Sequence, residues 1–146
     1  MTEFIQNIAG LKPQHQQDIP LFEKTYIPPH WGAKLVSRMY ADGSLYYLSR
    51  ESHPETVESP DQHWNYISSV SEKGIELIKN ILEIGYGITD EIPLSGNSMG
   101  VVKWKIRHKN EIREIIIPGI PSGKFRIFTD IDEAVNSNII KINVPG

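Results

Sequence analysis

The sequence predicts an α+β fold with a mainly antiparallel sheet, built on two β-hairpins at 33–50 and 101–117. Two observations predict the hairpins and one predicts a helix. Each hairpin region has two runs of strand-forming residues around a polar turn, and residues 72–84 carry isoleucine and leucine at helical spacing. The long helix and a short C-terminal helix are expected to pack on one face of the sheet.

The N-terminal residues 1–32 are the least regular part of the chain. A short amphipathic helix is expected up to about Gly10, before Pro13, and one short extended piece is expected at 21–27. We interpret the segment as an arm laid over the core. The chain of 146 residues is therefore expected to form a single domain, 1–146, with an irregular arm (1–32) and an α+β core (33–146).

The first hairpin contains Asp42-Gly43, the preferred pair for a tight type I′ turn. Such a turn pairs Tyr40 with Leu45 and sets which residues share a face. The face expected to enter the core comprises Leu35, Met39, Tyr46 and Leu48. The opposite face comprises Val36, Arg38, Tyr40, Leu45 and Tyr47.

Residues 62–84 allow two interpretations. A capping box at 59–62 favours a helix that begins there, but 64–70 is rich in aromatic, β-branched and serine residues, which are indifferent or poor helix formers. We expect a third strand at 62–69, followed by a helix from Glu72 to Ile84. Its buried stripe is expected to comprise Ile75, Ile78, Ile81 and Leu82.

The second hairpin is expected to turn at Lys109-Asn110, because asparagine tolerates the left-handed backbone of such turns. This turn places Lys105 opposite Glu114. The face expected to enter the core comprises Val102, Trp104, Ile106, Ile115 and Ile117. The other face carries Lys103, Lys105, Arg107 and Lys109, with Ile112 and Ile116 among them.

The C-terminal part is expected to hold a short strand at 124–128 and then a helix of about two turns. Asp130 is expected to cap this helix, with Glu133 completing a capping box. The residues 139–144 alternate and predict an edge strand.

Composition excludes some kinds of chemistry. The chain has no cysteine, so a disulfide framework, a thiolate nucleophile and a cysteine-rich metal site are excluded. Its net charge of −3 gives no global attraction to nucleic acid or anionic lipid. No apolar run reaches the roughly 18 to 20 residues that cross a bilayer, and the N-terminus lacks the pattern of a signal peptide. A cytoplasmic protein with no membrane contact and no cofactor is expected.

Gly96-Asn97-Ser98-Met99-Gly100 matches the G-x-S-x-G pattern in which a nucleophilic serine sits on a strained turn between a strand and a helix. Here strand-like residues follow the pattern instead of a helix. A hydrolase or transferase with its site in the 85–100 loop near Ser98 remains the alternative function.

Two other groups of residues suggest ligands. Imidazoles and carboxylates in one acidic loop resemble a metal-binding set, but no spacing fixes them on one helical face, and no metal is expected. They are His53, Glu55, Glu58, Asp61 and His63. The basic strand 103–109 suggests phosphate contacts through Lys103, Lys105 and Arg107, but Trp104 points to the opposite face and cannot stack bases beside them. A nucleic-acid or nucleotide ligand is the further alternative.

The leading hypothesis is a non-enzymatic protein-binding module, such as a small inhibitor, an immunity-type protein or an adaptor. Exposed tyrosine and arginine carry much of the binding energy at protein interfaces. Arg38, Tyr40 and Tyr47 are therefore the predicted contacts with a protein partner. The competing interpretation is that the N-terminal arm buries this face.

Overall fold

Seven antiparallel strands form one sheet with two helices packed against it. The structure is a computed structural model and describes residues 8–28, 35–49, 63–88, 100–119, 121 and 123–140. The strands are β1 (Phe22–Ile27), β2 (Leu35–Met39), β3 (Ser44–Ser49), β4 (His63–Val70), β5 (Val101–His108), β6 (Glu111–Pro118) and β7 (Ile139–Ile140). The helices are α1 (Glu72–Tyr86) and α2 (Ile127–Ser137). The predicted α+β fold is confirmed.

The order of strands across the sheet is β6-β5-β1-β2-β3-β4-β7. The extended piece predicted within the N-terminal arm is therefore a central strand, which joins the two hairpins. The rest of the described arm, residues 8–20, contains one turn of 3₁₀ helix at Pro13–His15. We call residues 8–20 the N-terminal arm from here on.

The first hairpin differs from its prediction by one residue. Met39 lies opposite Leu45 and Arg38 opposite Tyr46. The N–H of Gly43 donates to the carbonyl of Tyr40, and Gly43 alone in the loop has a positive φ, of 89°. This is a three-residue loop with a glycine bulge and not a type I′ turn. The predicted faces are therefore wrong, because a one-residue slip moves each side chain of one strand to the other face.

The second hairpin has the predicted register, with Lys105 opposite Glu114. Its turn residues are Lys109 and Asn110, but Lys109, and not the asparagine, adopts the positive φ of 58°. The predicted core face is also confirmed, since Val102, Trp104, Ile106 and Ile117 are buried and Ile115 packs against them.

The long helix and the strand before it are close to their predictions. Residues 63–70 form β4, and α1 begins after Ser71, whose side chain accepts a hydrogen bond from the N–H of Gly74. Ile78 and Leu82 are buried, as the helical spacing predicts, and Ile75 and Ile81 pack beside them.

The C-terminal prediction needs correction. Residues 123–126 form a 3₁₀ turn that leads directly into α2, so no strand is present at 124–128. The residue before α2 is Arg126, which makes no side-chain cap, and Asp130 lies inside the first turn. At the helix start, Phe128 is buried in the core instead, and Ile127 is partly buried against it. Packing thus outweighs the capping signal.

Two separate cores lie on the two faces of the sheet. On the helix face, α1 and α2 cover a cluster centred on Trp104, Phe22 and Phe128. On the opposite face, which we call the arm face, Leu11 of the N-terminal arm packs against Tyr46 and Trp64. The predicted face of Leu35, Met39, Tyr46 and Leu48 is therefore divided between the two sides.

Candidate functional site

The helix face of the sheet carries three rows of side chains that cross the strands. The row beneath the helices contains Ile106, Phe22, Met39 and Leu45. The next row contains Trp104, Lys24, Ser37 and Tyr47, and the last contains Val102, Tyr26 and Leu35. Because side chains alternate along each strand, all three rows point to the same side.

Helix α2 covers the sheet as far as Lys24. The ammonium group of Lys24 lies 2.8 Å from the carboxylate of Asp132 and 5.4 Å from the centre of the Trp104 ring. Trp104 is buried on the helix side of this ion pair. Beyond the ion pair, the sheet surface formed by Tyr26, Leu35, Ser37 and Tyr47 forms a groove with a volume of about 470 Å³. We call it the open groove.

The open groove exposes apolar and aromatic surface that strand residues normally bury. Leu35 is 65% exposed and Tyr47 is 48% exposed. The groove spans strands β5, β1, β2 and β3, a width of about 14 Å at the usual strand spacing. Lys24, the cation among its described lining residues, is paired with Asp132. The surface is therefore suited to uncharged apolar groups with some hydrogen-bonding capacity from the tyrosine and serine hydroxyls.

Of the three residues predicted to contact a partner, Tyr47 lies in the open groove and the other two lie inside the arm-face core. Arg38 is 3% exposed and Tyr40 is fully buried. The expectation that they share an exposed face with Tyr47 is wrong. The cause is the register of the first hairpin together with the N-terminal arm, which covers this face, as the competing interpretation held.

Arg38 sits in a buried polar and aromatic network. One terminal nitrogen lies 2.6 Å from the carboxylate of Glu23, and the other donates to the hydroxyl of Tyr40 at 3.0 Å. The guanidinium carbon is 4.1 Å from the centre of the Trp64 ring. Burial raises the pKa of Tyr40 above its ordinary value of 10.0, although the neighbouring Arg38 opposes this. The network ties β1 to β2 on the arm face.

A second chain of hydrogen bonds anchors the N-terminal arm. The ring of His15 is 2% exposed and lies 2.7 Å from the Tyr46 hydroxyl through Nδ1 and 2.8 Å from the Asp42 carboxylate through Nε2. It also stacks on Tyr40, with ring centres 4.3 Å apart. Since the carboxylate can only accept, Nε2 carries a proton, and in neutral His15 the Nδ1 atom accepts from the phenol.

This carboxylate, imidazole and hydroxyl arrangement resembles the relay of a catalytic triad. Its hydroxyl, however, belongs to Tyr46, which is fully buried and out of reach of any substrate in this conformation. Burial raises the pKa of Tyr46, and the hydrogen bond from the N–H of Lys12 partly opposes this. Burial alone would raise the pKa of Asp42, but hydrogen bonds from Ser44 and His15 outweigh it and the net shift is downward. The relay therefore fastens the arm to the first hairpin.

The basic strand is only partly a cationic surface. Lys103, Lys105 and Arg107 are half-buried on the arm face. The ammonium group of Lys103 is 3.9 Å from the carboxylate of Glu114, and Lys105 lies opposite the same residue. Ile112 and Ile116 of β6 lie opposite Arg107 and Lys103, so apolar side chains stand among the cations, as the sequence predicts.

The remaining predicted sites lie mostly outside the described residues. Ser98 does so, and so does the acidic loop except for His63, which begins β4 and is exposed. Among the described ranges, no three histidine or acidic side chains gather as metal ligands would. Within those same ranges, neither helix has the length and apolarity to cross a membrane.

Sequence reasoning missed Leu35 and Tyr26 as parts of a site. Leu35 alternates as a core residue does, and Tyr26 lies in a segment with little periodicity. Only the position of β1 between β2 and β5 brings them together. Comparisons with family models, with curated proteins and with solved structures found no match to this chain.

Proposed function

We propose that the protein is a non-enzymatic binding module that holds an apolar segment of a protein partner in the open groove. The observation that carries the proposal is the exposure of Leu35 and Tyr47 on a sheet face whose first row lies beneath the helices. Tyrosine is enriched among the residues that dominate binding energy at interfaces. Contiguous apolar surface of this kind often marks an interaction site.

Charge favours a protein segment over a phosphate-bearing ligand. Among the described residues that line the groove, Lys24 is the cation, and its ion pair with Asp132 reduces its attraction for an anion. The hydroxyls of Ser37 and Tyr47 remain suited to the backbone of an extended segment. The proposed partner therefore inserts apolar or aromatic side chains between Tyr26 and Tyr47 and places its backbone near these hydroxyls.

The test compares variants of the groove with a matched surface variant. The wild-type protein, Tyr47→Ala and Leu35→Ala are used to capture partners from an extract of the native cells, and a captured protein is then purified and titrated by calorimetry. Leu77→Ala is the control, because Leu77 is 47% exposed on α1, away from the groove. Truncating a central contact costs about 2 kcal/mol, or roughly 30-fold in Kd.

The proposal predicts this loss for Tyr47→Ala and Leu35→Ala and an unchanged Kd for Leu77→Ala. Equal Kd values for all four proteins would show that the groove is not the binding surface. Labelling of the wild-type protein by a serine-reactive phosphonate, abolished in Ser98→Ala, would instead favour the hydrolase or transferase alternative.

A further inference from the structure

Strand β6 forms one edge of the sheet and has a partner on its inner side, β5. The N–H of Arg107 donates to the carbonyl of Leu21, on the β1 side, so the even-numbered residues of β5 direct their backbone groups to β6. It follows that Ile112, Glu114 and Ile116 of β6 direct their N–H and C=O groups away from the sheet. Within the part of the chain that the structure describes, no strand pairs with this side.

The outward residues have a symmetric pattern of isoleucine, glutamate and isoleucine centred on Glu114. An antiparallel strand of the same sequence can pair with it around a two-fold axis at Glu114. Ile112 of each copy then lies opposite Ile116 of the other, and about six backbone hydrogen bonds form between the two strands. Pro118 has no N–H, and it lies just beyond the paired stretch.

The charges on the arm face complete this arrangement. Two Glu114 side chains that face each other across the axis would repel. In each copy, however, Lys105 lies opposite Glu114 and the ammonium group of Lys103 is 3.9 Å from its carboxylate. The axis therefore gathers two carboxylates among four ammonium groups. This gives the basic strand a physical role at the edge of the sheet.

The other registers of the same strand are less favourable. Shifting the pairing by two residues in one direction places Arg113 opposite Arg113 of the second copy. Shifting it in the other direction places Glu114 opposite an isoleucine and Ile112 opposite Pro118, which cannot donate. Of these three registers, only the one centred on Glu114 pairs isoleucine with isoleucine on the arm face.

We propose that the protein forms a homodimer through β6, in which two sheets join into one continuous sheet around a two-fold axis at Glu114. The occupant of this edge is a second copy of the chain because the pattern of the strand is its own complement. The proposal is independent of the open groove, which lies on the helix face of strands β1, β2, β3 and β5.

The absence of cysteine from the chain allows a clean cross-linking test. In the proposed dimer the two copies of residue 114 have Cα atoms about 5.5 Å apart, within the range of a disulfide. Glu111→Cys is the matched control, because the two copies of residue 111 are separated by six residues of strand, about 20 Å. Under mild oxidation Glu114→Cys is expected to give a disulfide-linked dimer, while Glu111→Cys stays monomeric.

A second measurement determines the mass of the protein in solution without cross-linking. Ile116→Pro removes an outward N–H and leaves the bonds to β5 in place, so the fold is expected to survive, with unchanged circular dichroism. Sedimentation equilibrium should give a dimeric mass for the wild-type protein and a monomeric mass for this variant. A wild-type monomer at the highest soluble concentration, a dimeric Ile116→Pro, or equal cross-linking of Glu111→Cys and Glu114→Cys would each overturn the proposal.

Discussion

Removing Arg38 should destabilise the protein strongly even though the residue was predicted to lie at the surface. Arg38 and Glu23 are 3% and 1% exposed, and their side chains are 2.6 Å apart. Arg38→Met leaves the Glu23 carboxylate buried without its counter-ion, which typically costs about 3–5 kcal/mol. It also removes the hydrogen bond to Tyr40, a further 1 kcal/mol or so. That total is a large part of the ordinary stability of a small domain.

A double-mutant cycle separates the ion pair from the rest of the loss. The double variant, Glu23→Leu with Arg38→Met, replaces both charges by apolar groups of similar size. It should therefore lose less free energy of unfolding than Arg38→Met alone. Unfolding in urea is followed by tryptophan fluorescence, to which Trp64 on the guanidinium contributes, and by circular dichroism. If the two single losses simply add, or if Arg38→Met costs less than about 1 kcal/mol, the buried pair is not what holds β1 to β2 on the arm face.

Stability should also depend on pH and on one glycine. Folding lowers the pKa of Asp42, so its contribution to the free energy of unfolding is present above the ordinary value of 3.8 and is lost as the pH falls through the folded value. In Asp42→Asn the free energy of unfolding, measured with urea at a series of acid pH values, should therefore depend less on pH. Folding raises the pKa of Tyr46, so its contribution to the free energy of unfolding is present below pH 10.0 and is lost as the pH rises above that value. In Tyr46→Phe the free energy of unfolding should therefore depend less on pH in the alkaline range. Gly43→Ala should lower the thermal midpoint, because φ is 89° and the new Cβ atom would lie 2.5 Å from the carbonyl of Val70. Gly123→Ala is its control, with φ of 61° and no atom within 4 Å, and an equal loss in both would show that the contact with Val70 is unimportant.

The sequence predicts a register well where one turn geometry is available and poorly where two are. Two residues separate the strands of the second hairpin, and its predicted pairing is confirmed. Asp-Gly suits both a type I′ turn and a three-residue loop with a glycine bulge, which differ by one residue in register. The structure adopts the second, with Gly43 alone at positive φ in that loop. Because of this difference, Arg38 and Tyr47, which were predicted to share a face, lie on opposite faces of the sheet.

The candidate site was predictable only in part, for a similar reason. Residue type identified Tyr47, which is exposed in the groove. It could not identify Leu35 or Tyr26, because their exposure depends on how far α2 extends over a sheet assembled from distant strands. The ion pair of Lys24 with Asp132, which marks that limit, joins residues 108 positions apart. Local periodicity carries no information about such contacts.

The arm face of the sheet is packed, whereas the helix face carries the groove to which binding is proposed. Strand β2 places Arg38 in a packed polar network on the arm face and Leu35 and Ser37 in the groove on the other. Because Tyr46 and Leu48 are buried on the arm face, the strand that carries Tyr47 is also held from behind. A partner that enters the groove would therefore meet a surface already ordered, and little of its binding energy would be lost in fixing these strands. Under the proposed function, the buried arginine would serve binding through the rigidity of β2 and not through contact with the partner.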